Sequence, residues 1–409
     1  MPDVLRDIIA RNRAGEVIAI PSICSAQPDV LAASLRMASR LGRPIVIEAT
    51  SNQVNQYGGY TGMQPAHFVT YVHDIADDVG ADRAGILFGG DHLGTQAWRS
   101  EPADAAMEKA RTLVRSYAAA GFRKIHLDCS EGCAGESPQL DDAHTASRSA
   151  DLAQLSAQEA EDLLFVVGTE VPPPGGAHAD EESDIAATDP AAATATLAAH
   201  DEAFGALKDQ IGGLVVQPGV EFSPTQVHHL PMDRDPGILQ ALGDHPSLCL
   251  EAHSTDYQHP TVFPRLAELG FAFQKVGPAL TFAYRAALYA LDQLRASKGA
   301  LQNAMEEAMC ADPSHWQSHY HGDAPALFEQ RHFGLADRIR YYWPHPKARE
   351  AVAALMADLP DVLSDAQLAS VFDEPVLERA ERLPGSQAQR LIHAQIETAL
   401  APYFFEGAP

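Results

Sequence analysis

The chain has 409 residues, 46% of them hydrophobic and 21% charged, with a formal net charge of −26. That composition supports a sizeable buried core and excludes a disordered chain. The acidity excludes nucleic acid as a partner and obliges any phosphorylated substrate to find local positive groups. No apolar stretch is long enough to span a bilayer. The opening residues, Met1-Pro-Asp-Val-Leu-Arg-Asp-Ile-Ile-Ala-Arg11, mix charge with apolar positions and do not form a signal peptide's apolar region. The five cysteines (24, 129, 133, 249, 310) are an odd count suited to reduced thiols, so a cytoplasmic protein is expected. Cys129 and Cys133 have a loop spacing that could hold metal, but no second Cys or His pair stands near them.

An amphipathic helix over about 3–14 leads to a first strand, 16–24. A helix from about 28 to 41 follows, with Gly42 where a C-cap is expected. The second strand, 44–50, closes on Glu48 and precedes a long polar loop, 51–62, of the kind that is usually functional. Helix 65–80 precedes the third strand, 84–92, and helix 103–120 the fourth, 124–130. Helix 148–161 leads to the fifth, 163–170, and helix 190–207 to the sixth, 213–219. Helix 234–242 leads to the seventh, 247–253, helix 260–269 to the eighth, 271–277, and helix 280–297 ends the cycle.

Eight strands alternating with helices are the pattern of a (β/α)8 TIM barrel. A doubly wound sheet is the alternative, but neither GxGxxG nor GxxxxGK[ST] is present. Residues 299–409 give helical segments without matching strands and are read as an extension packed on a barrel domain of residues 1–298.

Reacting groups of such barrels stand at the C-terminal ends of the strands. Those ends carry Glu48, Asp91 with His92, Asp128, Glu170, Gln217, Glu251 with His253, and Lys275. Each has a bland alternative: Asp128 as a helix cap, Glu48 paired with a nearby Arg or Lys, each His hydrogen-bonded and structural. What favours a site is recurrence at one topological place in seven successive units. So many carboxylates in one mouth need a cation, and the mixed N/O donors suggest Zn, Mn, Ni or Co.

The segments GGDHLG, KIHLD, VGTEVP, VVQPGVEF, EAHSTDYQ and KVGPALTF, with EATSNQVNQYGGYTGM upstream and DRIRYYWPH downstream, are similar to the Z-type subunits of tagatose-bisphosphate aldolase, the GatZ/KbaZ family. The likeness runs over about 8–350. It implies kinship with the class II aldolases, (β/α)8 enzymes that use a divalent metal. It further implies one of three roles: a metal-dependent ketohexose C4 epimerase or aldolase, a non-catalytic stabilising subunit, or a tagatose-6-phosphate kinase, the last without a phosphate-cradling loop.

In that likeness Asp91 resembles the acid/base, with Asp128 and Glu170 beside it in catalysis. His92 and His253 resemble metal ligands, joined by Glu170 and by Gln217, which stands where the family's relatives place a further His. Glu48, Glu251, Lys275, Gly277, Arg338 and Arg340 are expected to contact substrate. The 275–281 segment resembles a phosphate site at a helix start, and the bland alternative for the two arginines is a surface ion pair. A ketohexose or its phosphate, a Y-type class II aldolase subunit and further copies of the chain are the expected partners.

Overall fold

The computed structural model describes residues 2–169, 185–243, 245–360 and 362–405. Its strands are β1 (Ile20–Cys24), β2 (Ile45–Thr50), β3 (Ile86–Leu93), β4 (Lys124–Leu127), β5 (Leu164–Gly168), β6 (Ile211–Val215), a hairpin of β7 (Glu221–Phe222) and β8 (Val227–His228), then β9 (Cys249–Ala252) and β10 (Phe271–Val276). All but the hairpin close into one parallel barrel, in the order β1-β10-β9-β6-β5-β4-β3-β2. The expected (β/α)8 barrel is therefore the fold.

The barrel helices are α1 (Pro2–Arg13), α2 (Pro28–Leu41), α3 (Pro65–Val79), α4 (Ala103–Ala120), α5 (Asp142–Glu159), α6 (Pro190–Phe204), α7 (Val262–Glu268) and α8 (Pro278–Asp292). The expected helix at 234–242 is only a 3-10 turn, Ile238–Leu242. Pro236 lacks the N–H a longer helix needs, and Gly237 is left-handed at φ 72. Helix α5 starts six residues before the expected 148, because the Asp141 side chain accepts from the His144 N–H and caps it there. Strand β4 stops at Leu127, short of the expected 130, because Asp128 turns the chain by accepting from the Ser130 N–H.

Beyond the barrel come α9 (Ala300–Ala311), α10 (Ala324–Phe333), α11 (Pro346–Asp358), α12 (Asp365–Ala369), α13 (Glu374–Glu381) and α14 (Gln387–Leu400). All but α10 share one apolar core with the outer faces of the strands and barrel helices α2 to α8. A second, smaller core fills the barrel: Leu5, Ile8 and Ile9 of α1 meet Val46, Leu87, Val166, Cys249 and Phe273. Helix α1 thus stoppers the N-terminal end, and any site must open at the other.

The pleat sets what lies above that floor. Alternate residues of a strand share a face. In β4, Lys124 and His126 face inward while Ile125 and Leu127 join the outer core. In β9, Cys249 belongs to the inner core, Leu250 to the outer one, and Glu251 points inward again. Register ranks these inward residues in layers: Gly89 pairs with both Glu48 and Lys124 across β2–β3–β4. A Cβ on Gly89 would stand 2.8 Å from Glu48 Cγ, so the missing side chain lets its two neighbours meet.

Candidate active site

The first polar layer pairs its charges within the barrel. Lys124 Nζ lies 2.7 Å from Glu48 Oε1 and 2.7 Å from Glu251 Oε2, and all three side chains are fully buried. The Phe273 ring centroid is 5.3 Å from the same ammonium. Burial pushes the Glu48 carboxyl up, and against its own burial Lys124 is held charged by the two carboxylates. Glu48 and Glu251, expected to contact substrate, are therefore corrected to partners of a buried ion triad one layer below the mouth. For Glu48 the bland alternative, a lysine pair, is the one that holds.

The layer above brings three histidines together. Ring centroids of His92, His126 and His253 are 4.7, 5.2 and 5.3 Å apart pairwise. Each is tied on its outward nitrogen to an oxygen. His92 Nδ1 is 2.8 Å from Asp128 Oδ2, His126 Nε2 is 3.0 Å from the Gly168 carbonyl, and His253 Nε2 is 2.9 Å from Glu251 Oε1. With those nitrogens donating, the second nitrogens of His92 and His126 turn toward Asp91, that of His126 also accepting the His92 backbone N–H at 3.3 Å. His126 Nδ1 is 3.2 Å and His92 Nε2 3.8 Å from Asp91 Oδ1. Outward N–H groups fixed on carboxylates or carbonyls are the arrangement that metal-binding imidazoles require.

One atom each from Asp91, His92 and His253, and one each from His92, His126 and Asp128, lie within 4.8 Å of one another. Imidazoles with one carboxylate suit the divalent metals expected from the sequence, so the donor set fits such an ion.

Two consecutive residues, Asp91 and His92, both reach the centre because β3 is bulged. The β3–β4 register shifts between Gly90 and Leu93, and His92 sits at φ 46, a region costly for a side chain with a Cβ. Asp91 is fully buried. Against that burial, the ammonium of Lys275 helps hold its carboxyl well below the usual range. Lys275 Nζ is ion-paired with Asp91 Oδ2, and Cys24 Sγ is 3.7 Å from the same oxygen. Burial first, and Lys275 second, push the His253 imidazole down to about 3, so it is neutral at pH 7.

Several further expectations change. Asp128, expected to be catalytic, has both oxygens engaged: Oδ1 by the Ser130 N–H at 3.0 Å and hydroxyl at 2.6 Å, Oδ2 by His92. Gln217, expected to ligate metal, spends its Oε1 on the Gly219 and Val220 N–H groups at 2.8 and 2.9 Å, shaping a turn. The Gly277 N–H, expected to receive phosphate, donates with Ala279 N–H to Asp256 Oδ1, at 3.1 and 2.8 Å. Lys275 meets Asp91 instead of a free anion.

Arg338 Nε donates to the His315 carbonyl, and Arg340 donates to the Ala336 and Asp337 carbonyls and to Tyr341 Oη. Among the described residues neither makes the surface ion pair of the bland alternative. Glu170 lies outside the described residues.

Sequence reasoning passed over His126 and Lys124. The signal was present in Lys124-Ile-His-Leu-Asp128, where polar residues alternate through an otherwise buried strand.

A family profile described as D-tagatose-1,6-bisphosphate aldolase subunit GatZ/KbaZ-like matches residues 5–407. The chain is 41% identical over 422 residues to the D-tagatose-1,6-bisphosphate aldolase subunit GatZ of Salmonella dublin, covering 99% of each. It is 41% identical over 420 residues to the D-tagatose 6-phosphate 4-epimerase of Agrobacterium fabrum, covering 98% of each. The crystal structure of a probable tagatose 6 phosphate kinase from Sinorhizobium meliloti 1021 matches with a TM-score of 0.86 at 41% identity, over 94% of this chain and 99% of that one.

Proposed function

The chain belongs to the GatZ/KbaZ-like family of D-tagatose-1,6-bisphosphate aldolase subunits, and from that premise we propose that it acts on a ketohexose or its phosphate, making and breaking the C3–C4 bond as a 4-epimerase. The observation that carries this reading is the ring of three histidines, each tied outward, around the single carboxylate of Asp91. His92, His126 and His253 would hold a divalent ion. When bound, that ion supplies Lewis acidity to the C2 carbonyl of the sugar.

Asp91 is the base in the proposed cycle. It takes the proton of the C4 hydroxyl, the C3–C4 bond breaks, and the electron pair passes toward C2, leaving an aldehyde and a three-carbon enediolate. The aldehyde turns, the bond re-forms on its other face, and Asp91 returns the proton to the new C4 oxygen. Lys275 keeps Asp91 ionised before substrate arrives and must yield it as the hydroxyl enters. Glu251 and Asp128 fix their imidazoles, and the buried layer below keeps water from entering beneath the site.

The purified chain, incubated with Mn, Ni or Zn and with fructose, tagatose and their phosphates, should interconvert the C4 epimers, and Asp91→Asn should abolish turnover. A second reading is favoured by the subunit names of its relatives: a stabilising partner of a Y-type aldolase subunit. Activity that appears only when such a subunit is added, with none from the chain alone, would falsify the epimerase reading. The kinase name of the solved relative draws no support from the chain's sequence, which has no GxxxxGK[ST] segment.

We place the protein in the cytoplasm, as its five free cysteines suggest. No helix among the described residues is long and apolar enough to cross a membrane. We divide the chain at 298/299, with the C-terminal part forming one wall of the site's approach.

A further inference from the structure

The short turn that follows α14, Ala401–Phe404, reaches the lysine beside the reacting carboxylate. Its Tyr403 is buried, with its ring centroid 4.2 Å from that of Phe263 in α7 and its hydroxyl 3.0 Å from Thr255 Oγ1. Thr255 is fully buried and donates its own proton to the Lys275 backbone carbonyl at 2.6 Å. A carbonyl only accepts, so the single Thr255 proton is spent there and the Tyr403 hydroxyl must donate to Thr255. A one-way chain of hydrogen bonds thus runs from the C-terminal segment to the backbone of the residue ion-paired with Asp91.

Strand register explains why that carbonyl takes a side chain as its partner. On the β1 side, β10 is paired to its end, with Ser22 opposite Lys275 and Ile23 opposite Val276. On the β9 side the register shifts between Phe271 and Phe273, and the last pair is Ala252 with Gln274. Ser254, two residues later, is left-handed at φ 50 and turns the chain away from the ladder. Lys275 therefore lies one residue past the last β9 pair, where a backbone carbonyl still needs a donor. Thr255, the next residue after the turn, supplies it.

The consequence falls on the ammonium group. Lys275 Nζ pairs with Asp91 Oδ2, and in the proposed cycle it must give that carboxylate up as the substrate hydroxyl enters. At that moment the lysine is held by its backbone, and the β9 side of that backbone is held by Thr255.

We propose that Thr255 and Tyr403 are positioning residues for Lys275, so that the C-terminal segment is a working part of the active site as well as a cover for the barrel wall. The effect on rate rests on the reading of Asp91 as the base of a ketose epimerase; the hydrogen-bond chain itself does not.

Three variants separate the hydroxyl groups from the bulk that carries them. Thr255→Val keeps the shape but strands the Lys275 carbonyl and the Tyr403 hydroxyl, so kcat for C4 epimerisation should fall about 30-fold with KM nearly unchanged. Tyr403→Phe keeps the ring against Phe263 and loses only the outer donor, and kcat should fall about fivefold. Thr255→Ser restores the hydroxyl and should stay within about twofold of the unaltered chain.

A general loosening of the fold could imitate the first two losses, so Thr255→Val is repeated on Lys275→Met. If the bonds act through the ammonium, the added cost on that background should be less than about twofold. A cost of equal size with and without the ammonium overturns the proposal, as does a Thr255→Val chain with full kcat.

Hydrogen exchange read by mass spectrometry needs no turnover. Amides of 275–277 should exchange about tenfold faster in Thr255→Val and at the parent rate in Thr255→Ser. Equal rates in all three chains overturn the proposal. If Thr255→Val fails to fold by circular dichroism, Tyr403→Phe carries both measurements. A chain that turns over no ketohexose in any form loses the epimerase reading, and exchange then decides whether Thr255 and Tyr403 hold Lys275.

Discussion

Two layers of buried polar side chains lie in the same barrel, one pleat repeat apart, and they settle their charges differently. In the lower layer Glu48 and Glu251 share Lys124, at 2.7 Å each, and the charges meet one another within the barrel. In the upper layer the partners of the imidazoles lie outward, on Asp128, Gly168 and Glu251, and the inward nitrogens converge near Asp91. Burial of carboxylates and bases is common to both layers. What separates a structural layer from a reactive one is the direction in which each group is satisfied.

The largest expected effect breaks the lower layer. Lys124→Met leaves two carboxylates buried without their cation, and removing one partner of a buried pair costs about 4 kcal/mol. Denaturant unfolding should show that loss. Adding Glu48→Gln should recover part of it, since one of the stranded charges is gone. A loss below about 1 kcal/mol for Lys124→Met would mean that water reaches the triad and that the two layers are not distinct.

Next in size is the carboxyl that closes the α8 helix start. Burial raises Asp256 to about 6, although it accepts two backbone N–H groups. An acid raised in the folded state favours folding while protonated. Its contribution is fully present below the unfolded value of about 4 and is lost as pH rises through about 6. A shift of some two units corresponds to about 3 kcal/mol across that window. Asp256→Asn, whose amide oxygen can accept the same N–H groups, should flatten the pH dependence of stability between pH 4 and 6. An identical slope in variant and parent would remove Asp256 as its source.

How much of this was legible in the sequence follows from the same layers. Eight apolar runs closed by polar residues announce the barrel, and Asp91, His92 and His253 are at the centre where their strand ends predicted. Glu48 was read one layer too high. Its strand register pairs it with Gly89, two residues before Asp91, and register is a property of neighbouring strands that no single strand reveals. The sequence pattern runs β4 on to residue 130 with Asp128 as its polar end, and the turn at Asp128 hides that His126 is the last inward residue of β4. Arg340 was singled out, but its lack of a carboxylate is a tertiary fact.

The upper layer is sharpened by its own variants. His126→Ala should weaken binding of Mn or Zn by about 100-fold, as expected when a ligand and its oriented ring are both lost. The metal-free chain should also lose stability, because a fully buried ring bonded to Gly168 and to the His92 N–H is removed, so metal affinity is compared on folded protein. Unchanged metal affinity would return the site to His92 and His253 alone.

The smallest effect tests direction itself. In Asp128→Asn the size and the Ser130 contacts are kept, and the side-chain oxygen must still accept from the Ser130 N–H at the Oδ1 position. The amide nitrogen then faces His92 Nδ1, donor against donor, and the ring relieves the clash by moving its proton to Nε2. The inward nitrogen becomes an N–H and can no longer act as a base or ligand. Metal affinity should fall by about 10-fold, the usual loss when such an orienting partner is removed. Nitrogen chemical shifts of His92 should report the exchange of tautomers in the metal-free protein. A His92 that keeps its proton on Nδ1 in Asp128→Asn would show that the ring is oriented by packing, and the outward carboxylate would lose its part in setting the upper layer apart.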